Sequence, residues 1–437
     1  MKAYLEKERS IPVAASVDVL VLGGGPAGFS AAVAAGREGV SVMLVEQSGD
    51  VGGVATTGLM SHWTGNTQGG FYEEILQRSL AFSREHGEPD CFLDKNNKII
   101  NPECLKTLCL DMLEEAGVQL RLYTFACDAI MEGDTISGVV VESKSGREAI
   151  YAKIIIDASG DGDIACKAGA PFFKGRETDG KMQPVTIMFK VGGVDVDKAV
   201  FPGGFEESFP VPKGDIQSLG KKHLKAPAGH VLLYRSSLPG VVTCNMTNCI
   251  DIDGTSAEDL TKGTLICRHQ IHEIVKFLRE FVPGFEQCYL ISSSSIIGVR
   301  ETRRFQGEKT LTEQDILDAK VFDDWAVTKA QFNFDVHNIS GSGLDTTGSQ
   351  KKFPQKKGYT IPYGCFVPLK IDGLLLAGRN ISGTHIALSN YRVMPICANM
   401  GQAVGVAASI CIKQELIPRN LQVKDLQARL GSLGVAP

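Results

Sequence analysis

Val17-Asp18-Val19-Leu20-Val21-Leu22-Gly23-Gly24-Gly25-Pro26-Ala27-Gly28 decides the fold, and Glu46 completes the motif. Residues 17–22 form an almost unbroken β-branched and aliphatic run, the pattern of a parallel strand buried on both faces. A glycine turn follows, then an alanine-rich helical stretch over about 26–38, then a second apolar strand over 40–45 that delivers Glu46. This order is the βαβ fingerprint of dinucleotide binding. Gly23 permits the tight turn, Gly25 lets a pyrophosphate approach the backbone, and Gly28 lets helix and strand pack closely. Free N–H groups at the positive end of the helix would receive the phosphates. Pro26 suits a first helical turn, where no N–H partner is lost. Glu46 is positioned to accept hydrogen bonds from a ribose diol.

The 437 residues suffice for two or three domains, and a composition of 43% hydrophobic and 22% charged residues is that of an ordinary globular protein. The net charge of −5, with no basic tail, excludes the usual footprint of a nucleic-acid or anionic-membrane binder. Five charges among the first ten residues leave no apolar signal core, which gives a cytoplasmic expectation. Apolar runs such as 404–412 fall short of a membrane span. Twelve cysteines without a CxxC read as small buried hydrophobes in a reducing compartment, with a redox dithiol beside the cofactor as the other reading. None of the eight histidines pair at ligand spacing, so no metal is expected.

Helical patterns cover 71–85 and 102–116, the second closed by Gly117, and a short strand covers 118–123. A hairpin or meander turns at Gly133-Asp134, and the alternation continues to about 152. Residues 154–162 then return to a buried strand that ends in Asp157-Ala158-Ser159-Gly160-Asp161-Gly162. From about 170 to 360 the character changes, with strands at 185–191, 230–233 and 241–245, a helix over 256–281 and no second GxGxxG. The Ser-, Gly-, Thr- and Lys-rich stretch 338–357 reads as an exposed loop. These shifts divide the chain into a first cofactor-binding part (1–169), an inserted α+β substrate domain (170–360) and a returning cofactor-binding part (361–437).

Three features select FAD over NAD. Gly52-Gly53 follows Glu46 where a ribityl or phosphate group would pass the backbone. Ser159-Gly160 ends a strand where a doubly wound sheet binds its ligand. Residues 394–413 read as a long small-residue helix. Leu374-Leu375-Leu376-Ala377-Gly378-Arg379 and a helix entry around Gly401-Gln402 would bring the terminal segment back to the first unit, with a helix N-terminus able to stabilise charge on a reduced flavin. Candidate cofactor contacts are therefore Gly23, Gly25, Pro26, Ala27, Gly28, Glu46, Gln47, Gly52, Gly53, Ala55, Thr56, Thr57, Ala126, Cys127, Ala158, Ser159, Gly160, Gly378, Arg379, Gly401 and Gln402.

From residue 17 to about 412 the chain resembles the FAD-dependent oxidoreductases related to the flavoprotein subunits of fumarate reductase, succinate dehydrogenase and aspartate oxidase. The likeness rests on Gly52-Gly53-x-Ala55-Thr56, on Gly298-Val299-Arg300-Glu301-Thr302-Arg303-Arg304, on Ile361-Pro362-Tyr363 through Pro368, on Leu376-Ala377-Gly378-Arg379 and on Gly401-Gln402-Ala403. It implies a discontinuous Rossmann-like, doubly wound FAD domain with an inserted α+β substrate-capping domain, and hydride transfer through flavin N5. Fumarate-reductase-like enzymes often carry a histidine joined to FAD shortly before the glycine pair. Here Thr56-Thr57-Gly58 follow the pair instead, so FAD is expected to be non-covalent, with His62 a polar loop residue.

Substrate chemistry needs groups beside the ring that hold the substrate and move a proton. His385 and Arg392, between the Gly378 turn and the Gly401 segment, are candidates by position. Arg300 and Arg304 share a face if their segment is a strand and would then grip a carboxylate, and a structural network around Glu301 is the other reading. His337, after Asp335, is either a substrate ligand or a loop residue, and Cys365 reads as a buried thiol. The expectation is an enzyme that acts through FAD on a small organic substrate, such as a carboxylate or hydroxy acid, with an external electron donor or acceptor. An RNA-modifying flavoprotein, disfavoured by charge and the missing CxxC, and a non-catalytic flavin binder are the alternatives.

Overall fold

The apolar run at the N-terminus extends into a ten-residue strand, β1 (Val13–Leu22), in a computed structural model that describes residues 4–93, 98–202, 207–343 and 357–437. Gly23 breaks the strand, and helix α1 (Pro26–Arg37) begins with proline in its first turn. Strand β2 (Val42–Val45) pairs parallel to β1. Helices α2 (Gly70–Glu85) and α3 (Pro102–Glu115) follow, and the Asn101 side chain caps α3 by accepting the Glu103 N–H. Strands β3 (Gln119–Arg121), β4 (Thr124–Glu132), β5 (Thr135–Ser143) and β6 (Gly146–Asp157) complete the first part. The expected turn at Gly133-Asp134 joins β4 and β5 as a hairpin.

Short helix α4 (Asp163–Lys167) leads into the inserted region, which contains β7 (Phe189–Gly192), β8 (Leu233–Arg235), β9 (Val242–Cys244), helix α5 (Ala257–Phe281) and β10 (Tyr289–Ser293). The four strands form an antiparallel sheet in the order β8-β9-β7-β10. Ser256 caps α5, and Cys267, Ile271, Ile274 and Leu278 of that helix enter a core shared with Phe189, Val242 and Phe285. Buried residues from Phe305 to Tyr359 belong instead to the first core, so the inserted segment forms its own core over a shorter stretch than 170–360. Most of the expected loop at 338–357 lies outside the described residues.

Strand β11 (Leu374–Leu376) brings the chain back to the first sheet, pairing parallel with the second half of β6, whose first half pairs with β5. The sheet order is β3-β2-β1-β6-β5-β4, with β11 also against β6. Register aligns Leu22 with Val45 and Asp157, and Asp157 with Leu376. Four parallel strands thus end side by side, each delivering its following turn to one edge of the sheet. The mixed α/β, Rossmann-like architecture matches the expected class.

Helix α6 (His385–Tyr391) is capped by the Thr384 hydroxyl and precedes α7 (Met394–Gln414). The helix expected over 394–413 is α7, whereas the entry expected at Gly401 is corrected: α7 begins two turns earlier, and Gly401 and Gly405 form its contact with α1. A Cβ on them would lie 2.0 Å from the Ala27 carbonyl oxygen and 2.3 Å from that of Ala31. By length and hydropathy α7 resembles a membrane span, but 89% of its most apolar window is buried inside the protein, which accounts for its composition.

Candidate active site

At the carboxyl edge of the sheet lies a cavity of about 1590 Å³ that runs from the first glycine turn to the inserted domain. Its near half is lined by Gly23, Gly25, Pro26, Ala27, Glu46, Gln47, Gly53, Thr57, Ala126, Ala158, Ser159, Gly160, Gly378 and Arg379. Each strand end contributes to this wall.

The three glycines of the opening motif differ in what surrounds them. Gly23 has φ +91°, and a Cβ there would meet Ala158 O at 2.7 Å. A Cβ on Gly28 would fall 1.8 Å from Gly23 O, so the helix packs directly on its own turn. A Cβ on Gly25 would meet nothing within 4 Å, because it would point into open space at the cavity. No side chain caps α1, which leaves its first-turn N–H groups for a ligand. This open cradle at an uncapped helix end fits a pyrophosphate.

Glu46 braces the turn. Its Oε2 accepts the Gly24 N–H and its Oε1 the Ser48 N–H, both at 2.7 Å. Gly52 and Gly53, with φ +103° and +53°, fold back onto this turn; Gly52 N–H donates to Gly24 O, and a Cβ on Gly53 would lie 2.9 Å from Gly25 Cα. Thr56 bonds to Val51 O inside that loop and, like Ala55, is buried away from the cavity wall. Asp157 holds the second turn, accepting from the Ser159 N–H and hydroxyl and from the Ala165 N–H. Arg379 lies across Gly160 and pairs with Asp161 at 2.5 Å.

Several expected contacts stand off the cavity. Cys127 Sγ donates to Val140 O within the β4–β5 hairpin. Gln402 accepts the Phe71 N–H, tying α7 to α2. The helix end that does reach the cavity is that of α7 at Val393, Met394 and Cys397, again without a side-chain cap.

Walls of the far half come from Met60, Met188, Leu232, Ile296 and Ile297, with His62 stacked on Tyr234 at 4.6 Å between ring centroids. Arg300, Arg392, Asp335 and His337 also line it. Arg392 Nη2 donates to Asp335 O at 2.9 Å and Oδ2 at 3.0 Å, and His337 Nε2 lies 3.3 Å from the same Oδ2. Arg300 Nη1 donates to Pro184 O at 2.6 Å. Burial, followed by the nearby Arg392, brings the Arg300 guanidinium down to about 10. Burial pushes the Asp335 carboxyl up, but His337, Arg392 and Arg300 outweigh it and hold it well below the carboxylate range. Burial and Arg300 push the His337 imidazole down to about 4 against the opposing pull of Asp335.

His385 and Arg304 are not in the cavity. Arg303–Phe305 pairs as a short strand with Phe172–Lys174, and the residues before it are irregular, so Arg300 and Arg304 do not share one strand face. Arg304 is buried against Glu177 and the Gly175 carbonyl, with Glu301 at 3.7 Å. His385 Nδ1 lies 2.8 Å from Glu301 Oε1, and its N–H donates to Glu177. The buried ion network is the reading the geometry supports for these two. Gln183 links it to the cavity, donating its N–H to Glu301 while its Oε1 accepts from His337 N–H at 3.2 Å and Arg392 at 3.4 Å. No sequence signal singles out Gln183, whereas the Asp335-x-His337 spacing already brought His337 into view.

A doubly wound sheet with an uncapped phosphate cradle, a returning strand and a second compartment under an inserted domain defines a flavin-dependent class of enzyme. The chain belongs to the FAD dependent oxidoreductase family, whose model matches residues 18–430. Digeranylgeranylglycerophospholipid reductase 2 of Methanopyrus kandleri is 27% identical over 215 residues, 45% of this chain and 52% of that protein. Thiamine thiazole synthase of Methanococcus vannielii is 29% identical over 152 residues, 33% and 56% of the two. The chain spans about half the length of the curated relatives it matches. A solved geranylgeranyl bacteriochlorophyll reductase-like protein of Thermoplasma acidophilum gives a TM-score of 0.48 at 12% identity, covering 95% of this chain and 83% of that one.

Proposed function

We propose that this FAD-dependent oxidoreductase acts on a small organic carboxylate bound in the far half of the cavity, a reading that retains the resemblance to fumarate-reductase-type flavoproteins. The observation that carries it is a pair of guanidinium groups on one wall of the compartment. Two guanidinium groups, Arg300 and Arg392, face the compartment; Arg392 pairs with Asp335, whereas the buried Arg300 donates to the Pro184 carbonyl. A buried cation without a full counter-charge is costly, and an anionic substrate relieves that cost. Arginine's planar fork suits a carboxylate in bidentate fashion.

FAD, when bound non-covalently, supplies a hydride acceptor or donor at flavin N5. In this reading Gly25, Ala27 and the first turn of α1 hold the pyrophosphate, and Glu46 takes the ribose. Arg300 and Arg392 orient the substrate, and Met188, Leu232, Ile296 and Ile297 exclude water from it. An external donor or acceptor completes the turnover. Anaerobic mixing of the FAD-loaded protein with a panel of carboxylates and hydroxy acids, and of the photoreduced protein with unsaturated acids, quinones and oxygen, tests the reading. Carboxylate-dependent bleaching or reoxidation of the flavin supports it. A flavin indifferent to every acid but responsive to neutral substrates overturns it, and one that no donor reduces returns a non-catalytic flavin binder.

A further inference from the structure

We infer that the substrate is a carboxylic acid with a hydrocarbon body, its carboxylate held by Arg300 and Arg392 and its chain laid along an apolar strip of the inserted domain. The inference rests on the carboxylate reading above and adds to it what the rest of the molecule must be. Residues 296–300 all line the cavity, so Ile296, Ile297 and Val299 lead along one segment directly to Arg300. Met188 and Leu232 widen the strip from neighbouring segments. Backbone bonds hold these segments side by side. Ser294 N–H donates to Met188 O at 2.8 Å, Gly298 N–H to Thr186 O at 2.7 Å, and Asn245 N–H to Leu232 O at 3.0 Å. The Ser294 hydroxyl donates to Thr57 O at 2.9 Å, which fixes the strip against the loop that follows the glycine pair.

The strip is apolar surface without an apolar partner. Met188, Leu232 and Ile296 belong to neither of the two hydrophobic cores, although all three lie on the cavity wall. Ile297 and Val299 touch the second core and remain half-buried. Apolar side chains of this kind line ligand pockets, where the ligand completes the packing. An acid as short as glycolate or lactate would meet both guanidinium groups and leave the strip against water. A hydrocarbon body covers it, at a gain of about fourfold in affinity for each fully buried methylene. Room is not limiting, because the cavity's volume of about 1590 Å³ exceeds the roughly 300–1,000 Å³ of a single small-molecule site. It accommodates a cofactor in its near half and a substrate longer than such acids in its far half. Met188 suits a chain, since an unbranched thioether adapts to the shape laid against it.

The test is equilibrium dialysis of the FAD-loaded protein against radiolabelled straight-chain acids from acetate to decanoate, with 1-octanol as the neutral probe. Affinity is expected to rise about two- to fourfold per methylene, so that octanoate binds at least about a hundredfold tighter than acetate. 1-Octanol should bind at least about tenfold more weakly than octanoate. Ile296→Ser and Met188→Ser should each cut the octanoate-to-acetate ratio by about fivefold or more. FAD stoichiometry and the thermal midpoint verify that each variant folds. An acid series without a chain-length trend overturns this inference and leaves the carboxylate reading standing, and it is the result expected if the flavin ring itself covered the strip. A trend that both variants retain in full puts the chain elsewhere and also overturns the inference. 1-Octanol binding as tightly as octanoate overturns the carboxylate reading and, with it, the acid inferred here. Failure of every acid to bind wild type overturns both.

Discussion

A Cβ on Gly401 would stand 2.0 Å from the carbonyl oxygen of Ala27, so the returning helix and the first turn of the phosphate-binding helix touch backbone to backbone. Gly401→Ala must push these two helices apart. Overpacking of this kind costs about 1–3 kcal/mol, and Ala27 lines the cavity, so FAD affinity falls with stability. Gly431→Ala is the control, because a Cβ there, inside the helix Val423–Ser432, meets nothing within 4 Å. That change is expected to stabilise by about 0.5–1 kcal/mol. Urea denaturation of both variants checks the pair.

Glu46 is expected to matter before any ribose arrives. Both of its carboxylate oxygens accept backbone N–H groups, from Gly24 and Ser48, at 2.7 Å. Glu46→Ala leaves both donors without their partner and loosens the turn, which should cost about 1–3 kcal/mol and weaken FAD binding at least tenfold. Equilibrium dialysis against FAD measures it. Affinity unchanged from wild type would show that the turn stands without the acid.

His385→Ala and Glu301→Gln should act on stability and leave substrate affinity nearly intact. His385, Glu301 and Arg304 form a buried network off the cavity wall. Removing the Glu301 charge leaves Arg304 with Glu177 alone and weakens the bonds from His385 and the Gln183 N–H, a change that costs about 1–3 kcal/mol. Thermal midpoints should fall while the KM of the folded fraction stays near wild type. A large rise in KM with an unchanged midpoint would place these residues at the substrate after all.

Two buried histidines set an acid limit on stability. Burial pushes His230 down to about 3 and His337 down to about 4, against 6.5 for a free ring. Between pH 6.5 and 4 the unfolded chain therefore binds protons that the folded chain does not, and stability falls as pH drops. Each ring contributes a slope of about 1.4 kcal/mol per pH unit in that window. His337→Gln should remove about half of this slope. Denaturation midpoints from pH 7 to pH 4.5 test it, and a flat profile in wild type would contradict the buried neutral state.

The cofactor half of the site was legible because its chemistry is local. Gly23, Gly25 and Gly28 act within one turn of chain, and their spacing alone implies the tight turn, the open cradle and the close packing seen around them. The βαβ unit and the β4–β5 hairpin were readable for the same reason. The substrate half depends on contacts that cross the sequence. Arg300 and Arg304 are four residues apart, yet the irregular backbone before Arg303 sends one to the cavity and the other into the Glu301 network. His385 looked close to the ring because of its neighbours in sequence, but α6 turns it toward Glu301. The extent of α7 was legible, but its entry was set at Gly401 because small residues that pack two helices resemble those that open one.

The most direct measurement is a titration of the FAD-loaded protein with oxalate, followed through the flavin absorbance, in wild type and in Arg300→Met and Arg392→Met. Two guanidinium groups that hold a carboxylate beside the flavin predict a saturable spectral change in wild type. Loss of either arginine should weaken it at least tenfold, in keeping with about 1.5–3 kcal/mol for a hydrogen bond to a charged group. No spectral change in wild type, or equal affinity in all three proteins, would contradict the account.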